Sequence, residues 1–372
     1  MVWDVFCKVI DNYGDLGVCL RLCRNLASQG EQLRLWVDDA TALVWMAPLL
    51  NSAQIQVIPW RPDTNRQTHS ASAWPEPGDV VVEAFGCDLP VEFVALMAER
   101  NCTCPVAWIN LEYLTAESYA EKCHGLPSPV FYGPGMGLTK HFFYPGFTPR
   151  SGGLLREPDL SVRQLQFDRD AWLNKIGVKI PCAQKMRYVS LFCYEPSNLT
   201  ALLTQLANAP ECTHLLVTAG RSTEAVKTEI FTKRSIKTDA EKHGQLLISY
   251  LPTLSQQDFD HLLWACDLNF VRGEDSLVRA IWAGKPFVWH IYPQVDNAHH
   301  NKLLALLDML DASPAVRTWH QIWNELDDGV LPTLDALLQD NTHLQARARL
   351  QRQTDLCTQL RTFVSKLTSK ER

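Results

Sequence analysis

The chain opens on a run that is apolar at nearly every position, Val2-Trp3-Asp4-Val5-Phe6-Cys7-Lys8-Val9. Its β-branched and aromatic residues suit a buried first strand. Ten residues further on, Val18-Cys19-Leu20-Arg21-Leu22-Cys23-Arg24-Asn25-Leu26-Ala27 places its apolar residues at helical spacing, with two arginines on another face. The stretch between, Val9-Ile10-Asp11-Asn12-Tyr13-Gly14-Asp15-Leu16-Gly17, is therefore a strand-to-helix turn. Gly14 and Gly17 let the backbone pass close to a ligand there. In an open α/β sheet such turns, at the carboxyl ends of the strands, are where ligands sit.

The charge of this turn narrows the ligand. A phosphate-cradling turn offers bare N–H groups, whereas this one presents Asp11 and Asp15. A helix N-terminus keeps both carboxylates ionised, and together they repel a phosphate. They suit a cationic or hydroxylic partner. Helix capping by Asp15 or Asn12 would account for one acid and less well for two.

A length of 372 residues allows two ordinary domains, and the 46% hydrophobic and 20% charged shares are those of a globular protein. A net charge of -6 leaves no electrostatic footprint for nucleic acid or an anionic membrane. No apolar run approaches the roughly 20 residues of a membrane span. The N-terminus enters a strand without a secretory pattern, so a cytoplasmic location is expected. The twelve cysteines are scattered among apolar residues. Cys102 and Cys104 form the one close pair, so reduced core thiols are expected and no zinc site.

Strand-like and helix-like segments alternate through the first half: Gln32–Val37, a helix near Asp39–Leu50, Gln54–Pro59, Asp79–Phe85, a helix over Pro90–Glu99, and Val106–Asn110. The polar stretch Arg61–Pro77 reads as an exposed loop. This order predicts a doubly wound parallel sheet, and it lacks the G-x-G-x-x-G of a nicotinamide site. Trp108-Ile109-Asn110-Leu111-Glu112-Tyr113-Leu114 ends a strand in a polar and aromatic cluster that can wall the same crevice. His124, in a turn-rich loop, reads as a packed residue.

The alternation restarts at Met186. Met186–Cys193, Thr213–Thr218, Leu246–Ser249 and Leu268–Arg272 read as strands, with helices over Asn198–Asn208 and Ser255–Ala265. A second α/β domain follows from that restart. Asp168-Arg169-Asp170 has a D-x-D form, but its place before Ala171-Trp172-Leu173 makes it a helix N-cap. A second chemically loaded turn is Val271-Arg272-Gly273-Glu274-Asp275-Ser276, where a strand ends and a helix begins that stops at Gly284. A serine hydroxyl and free N–H groups at a helix N-terminus suit a diphosphate, and Glu274 suits sugar hydroxyls. The same three polar residues are also good first-turn residues for any helix. Two Rossmann-like domains facing across a cleft, one with acids and one with a donor turn, would make a sugar transferase. His299 and His300 are sequential on a helix and are expected to point apart, so no metal is expected. The tail from Thr318 reads as largely helical.

The run Phe6–Gly17, together with Trp108–Tyr113, Cys123–Pro129, Pro145–Glu157, Arg272–Ser276 and Ile291–Gln294, resembles the bacterial elongation factor P arginine rhamnosyltransferases. The resemblance implies a GT-B glycosyltransferase of two Rossmann-like domains. It implies an acceptor domain over 1–160 with a helix at 352–372 packing back on it, a linker over 161–185, and a nucleotide-sugar domain over 186–351. It further implies an inverting, metal-independent enzyme that takes dTDP-β-L-rhamnose as donor, needs no cofactor, and modifies one arginine of elongation factor P. The modified factor then helps ribosomes stalled at consecutive prolines.

Carried over by position, Asp15 matches the general base, Asp11 the second acid, and Glu274 the acid of the donor site with Asp275 and Ser276 beside it. Tyr194 and Gln256 match donor contacts, Gln256 and Ser276 near the diphosphate. Phe192 and Phe259 match the aromatics that flank thymine. Asn12, Tyr13, Gly14 and Gly17 complete the acceptor turn. Thr253 stands where another aromatic is expected. The chemistry agrees, because a guanidinium holds its proton with a pKa above ~12 and must be held, polarised and deprotonated as the C–N bond forms. Which of Asp11 and Asp15 orients and which takes the proton stays open, with Asp15 the expected base. Two other readings remain: a GT-B transferase for another acceptor, and a non-catalytic protein that binds elongation factor P.

Overall fold

The computed structural model describes the whole chain except residues 10–12, 49, 51–52, 61–73, 179–185, 233–241, 295–296 and 371–372. Two compact units emerge, Met1–Pro158 with Gln353–Arg372, and Asp159–Arg352.

In the first unit the strands are β1 (Val2–Cys7), β2 (Gln32–Val37), β3 (Ile55–Pro59), β4 (Val80–Ala84), β5 (Ala107–Leu111), β6 (Pro127–Pro129) and β7 (Thr139–Phe143). They form one sheet in the order β3-β2-β1-β4-β5-β7-β6, parallel except where β6 runs against β7. The period of two along β1 feeds both faces. Val5 and Cys7 join the core under helix Gly14–Ser28, while Phe6 packs with Trp36, Trp60 and Phe93 on the other side. Leu16, Cys19, Leu20, Cys23 and Leu26 recur at helical spacing and are all fully buried, which holds that helix on the sheet. The C-terminal helix Leu356–Lys370 adds Leu356, Cys357, Leu360 and Val364 to the same core, and Arg361 Nε reaches Glu31 at 2.9 Å. Strand order reverses between β1 and β4, so the crevice of this unit opens where β1 enters the acidic turn.

The second unit holds β8 (Met186–Leu191), β9 (Cys212–Val217), β10 (Lys242–His243), β11 (Leu246–Tyr250), β12 (Leu268–Arg272) and β13 (Phe287–His290). Their order is β10-β11-β9-β8-β12-β13, parallel apart from the short β10. Here the reversal falls between β8 and β12, at the ends that lead into Phe192 and Gly273. Helix Gly273–Ala283 ends on Gly284, whose φ of 66° closes it in the left-handed cap conformation.

Several expectations change. The helix expected near Asp39–Leu50 is a single turn, Leu43–Met46. The Asp39 side chain accepts from Thr41 N at 2.9 Å and Asp38 Oδ1 accepts from Asp39 N at 3.0 Å, so local side-chain bonds replace the first helical turn. Most of the stretch read as an exposed loop, residues 61–73, lies outside the described residues; of the rest, Trp74 packs on Trp36 and Phe93 with ring centroids 5.4 and 5.7 Å away. The stretch expected to link the domains carries short helices, and its residues 179–185 lie outside the described ones. Its helices Leu160–Leu165 and Arg169–Lys175 bury Trp172 and Leu173 against Tyr188, Leu216 and Leu262 of the second unit. Asp168 accepts from Ala171 N at 3.0 Å, the N-cap bond read from its context. His299 and His300 do not point apart: their rings meet edge to face at 4.3 Å. Among the described residues no three potential ligands group into a metal site, and no helix is long and apolar enough to cross a membrane.

Candidate active site

In the first unit, candidate residues gather where β1 ends. Asp15 lies in the first turn of helix Gly14–Ser28, whose N-cap position is taken by Tyr13. Its carboxylate is therefore inside the helix start and not its cap, favoured there by the dipole. Tyr113, two residues beyond β5, donates its hydroxyl to Asp15 Oδ2 at 3.2 Å. The Tyr113 ring stacks on Phe85 with centroids 4.8 Å apart and planes 26° apart. Phe85 follows β4 with a φ of 56°, left-handed backbone that a bulky residue adopts only under constraint, and its N–H donates to Leu111 O at 2.8 Å. Tyr13 sits edge-on to Trp45 at 5.7 Å, and Gly17 N closes the first turn on Tyr13 O at 2.9 Å. Gly14 is exposed and Gly17 buried. Asp11 and Asn12 lie outside the described residues.

Behind this turn the ends of β4 and β5 carry a second polar set. Glu83, 4% exposed, accepts from Lys140 Nζ at 3.0 Å and from Trp108 Nε1 at 3.2 Å. Burial pushes its carboxyl above the usual value, and Lys140 opposes that. Asn110 Nδ2 donates to Glu112 Oε1 at 2.7 Å. His124 is a packed residue as read: its Nδ1 accepts from Tyr144 N at 3.1 Å, and burial holds it below the usual histidine range.

In the second unit, candidate residues gather where β8 and β12 end. Phe192 continues β8, with its N–H bonded to Phe270 O at 2.9 Å, and its ring meets Phe259 at 5.4 Å and 70°. The Arg272 guanidinium lies 4.5 Å over the Phe192 ring and 4.7 Å over the Tyr194 ring. Burial lowers its pKa from the usual arginine value, which a face-on pair of aromatic rings offsets. Arg221 lies 5.0 Å over the Tyr194 ring and forks onto both Glu195 oxygens. Tyr194 N donates to His290 Nδ1 at 3.3 Å, and burial, with Arg272 nearby, brings His290 down to about 3. Burial also raises the Tyr194 phenol.

Gly273 has a φ of 68°, and a Cβ there would stand 3.8 Å from Tyr194 Oη, so the turn runs close under that ring. Trp289 Nε1 fixes it by donating to Gly273 O at 2.9 Å. Glu274 and Asp275 then fill the first helical turn, and Lys302 Nζ pairs with Glu274 Oε1. Ser276 is 5% exposed and its hydroxyl donates back to Arg272 O. That back-bond takes the proton the sequence reading aimed at a phosphate. Gln256 is buried at the start of its helix, which Ser255 caps through Asp258 N at 3.1 Å. Thr253 is exposed.

Within the second unit, then, Phe192, Tyr194 and Phe259 come together with the Gly273–Ser276 turn, while in the first Asp15 comes together with Tyr113. The sequence did not single out Phe85, Arg221 or Lys302, and placed Arg272 only as part of a turn. Arg272 carries a legible signal, a cation at the last position of a strand facing a glycine.

This pairing of two Rossmann-like units with loaded switch points is matched in known proteins. Residues 3–365 fit the family described as Elongation-Factor P (EF-P) rhamnosyltransferase EarP. The chain belongs to the EarP family of protein-arginine rhamnosyltransferases. A protein-arginine rhamnosyltransferase of Pseudomonas putida is 42% identical over 362 residues, covering 94% of this chain and 93% of its own. One from Pseudomonas aeruginosa is 40% identical, covering 87% and 86%. A solved structure concerned with EarP-mediated arginine glycosylation of translation elongation factor EF-P superposes with a TM-score of 0.65 at 31% identity, covering 98% and 99%. A Rickettsia africae glycosyltransferase shares the fold alone, with a TM-score of 0.51 at 11% identity over 99% and 98%. The fold is GT-B and the chain is a glycosyltransferase.

Proposed function

We propose that this chain transfers L-rhamnose from dTDP-β-L-rhamnose to an arginine guanidino nitrogen of translation elongation factor P, with inversion at the anomeric carbon and without a metal ion, in the cytoplasm. The product is the factor in the form that helps ribosomes stalled at consecutive prolines. The observation that carries this reading is the Asp15 carboxylate at the β1–β4 switch point, held by Tyr113 Oη at 3.2 Å. A planar guanidinium offers five N–H donors and gives up a proton only as the new bond forms, and a fixed carboxylate answers both needs.

In this scheme the guanidino nitrogen attacks C1 of the sugar, the C1–N bond forms as the C1–O bond to the diphosphate breaks, and the guanidino proton passes to Asp15. Asp11 orients the planar fork. The dTDP leaves with its charge, and the N-terminus of helix Gly273–Ala283 offers stabilisation for it without a divalent ion. Phe192 and Phe259, whose rings meet edge to face 5.4 Å apart, offer thymine an apolar wall, and Glu274 suits the sugar hydroxyls.

The test is intact mass of elongation factor P after incubation with this protein and dTDP-β-L-rhamnose. The expected gain is one deoxyhexose on one arginine, lost in Asp15→Asn and in Glu274→Ala. An unchanged mass with dTDP still bound overturns the sugar or the acceptor and leaves the fold standing.

A further inference from the structure

We propose that Lys302 is the cation that makes an acidic helix start competent to hold a diphosphate. The inference rests on the donor reading of the Gly273–Ser276 turn. A helix N-terminus attracts anions, yet this one begins with Glu274 and Asp275, whose charges oppose a nucleoside diphosphate. The turn needs a compensating cation on the ligand side.

Of three cations near it among the described residues, two are held by groups other than the acids of the turn. Arg272 is stacked between Phe192 and Tyr194 and donates to Cys193 O at 3.3 Å. Arg221 is forked onto Glu195. Lys302, from the first half of helix Ala298–Met309, pairs with Glu274 through a compact ammonium that carries three donors. Both side chains of the pair are about a quarter exposed, at 23% and 22%, so the pair stands at the rim of the turn where a ligand can meet it. One donor cancels the charge of Glu274 and fixes its carboxylate for the sugar. The others are assigned to the β-phosphate oxygens, where they take up charge as the nucleoside diphosphate leaves.

Calorimetric titration with dTDP on the full chain tests this, for wild type, Lys302→Met, Lys302→Arg and the double variant Glu274→Gln with Lys302→Met. Lys302→Met is expected to weaken dTDP about tenfold or more, as loss of a charge-assisted contact does. Lys302→Arg is expected to retain most of the affinity. The double variant is expected to recover a large part of the loss, because without the acid there is less for the cation to cancel. A purely structural lysine would lower the melting temperature of the ligand-free protein instead and gain nothing from Glu274→Gln. Wild-type binding with an equally tight Lys302→Met overturns the role of Lys302 alone. A wild-type chain that does not bind dTDP overturns the donor reading and this role with it.

Discussion

Tyr113 Oη stands 3.2 Å from Asp15 Oδ2, a hydrogen bond that joins the end of β5 to the start of the first helix across 98 residues of sequence. The bond fixes the position of one carboxylate oxygen of the expected base. The Phe85 ring, stacked at 4.8 Å behind Tyr113, sets the angle of the phenol. Tyr113→Phe keeps that stack and removes only the hydroxyl. Transfer should fall about tenfold in kcat while the KM for the acceptor changes little, the pattern of lost positioning of a base. Steady-state kinetics with elongation factor P as acceptor checks it, and an unchanged kcat would show that Asp15 needs no such partner.

Arg272 acts through its plane. A lysine there keeps the charge and loses the face-on contact with Phe192 and Tyr194, at 4.5 and 4.7 Å. The two rings then lose the slab that spaces them. Arg272→Lys should weaken dTDP by about fivefold to tenfold, the worth of a partly desolvated cation–π contact, with the fold intact by circular dichroism. Equal affinity would reduce Arg272 to a point charge.

How much of this was legible depended on distance along the chain. Val2–Cys7 and Gly14–Ser28 were readable because a strand period and a helix period sit side by side, and the acid in the turn is visible for the same reason. The Tyr113–Asp15 bond was not, because nothing in either segment specifies its partner until β4 and β5 have paired. Lys302 and Glu274 are 28 residues apart and meet for a similar reason, through the packing of two helices. Helix Arg169–Lys175 was announced by its Asp168 cap, whereas Leu160–Leu165 was missed because six residues show too little of a 3.6-residue period. Ser276 was read for its hydroxyl, which its own helix claims.

Buried histidine makes the second unit acid-sensitive. His320 is fully buried, accepts from Trp289 N through Nε2 at 3.1 Å, and contacts Val316 O through Nδ1 at 2.9 Å. Burial lowers it to about 4. The folded pKa lies below the unfolded one, so the unfolded chain takes the proton first as pH falls. The stability it contributes is complete above about pH 6.5 and declines towards pH 4, on the order of 3 kcal/mol for this one group. Urea unfolding at pH 7.5, 6 and 4.5 should show a falling midpoint, less steep in His320→Gln. A midpoint flat over that range would mean that burial does not hold the His320 imidazole neutral.

The exposed Thr253 offers the opposite kind of change, a gain. The resemblance leads to an aromatic at that position, and here the aromatic pair Phe192 and Phe259 stands without it, ring centroids 5.4 Å apart. Stacking on a base contributes roughly 1–3 kcal/mol per ring when the ring is well placed. A new ring at an exposed position gives up conformational freedom on binding, so the lower end applies. Thr253→Phe should therefore tighten dTDP about threefold to tenfold, with little gain for a uridine diphosphate sugar if the thymine methyl also packs on the new ring. Titration of both nucleotides against the variant decides it. Unchanged affinity for both would place the base away from residue 253 and leave Phe192 and Phe259 as the whole of its stack.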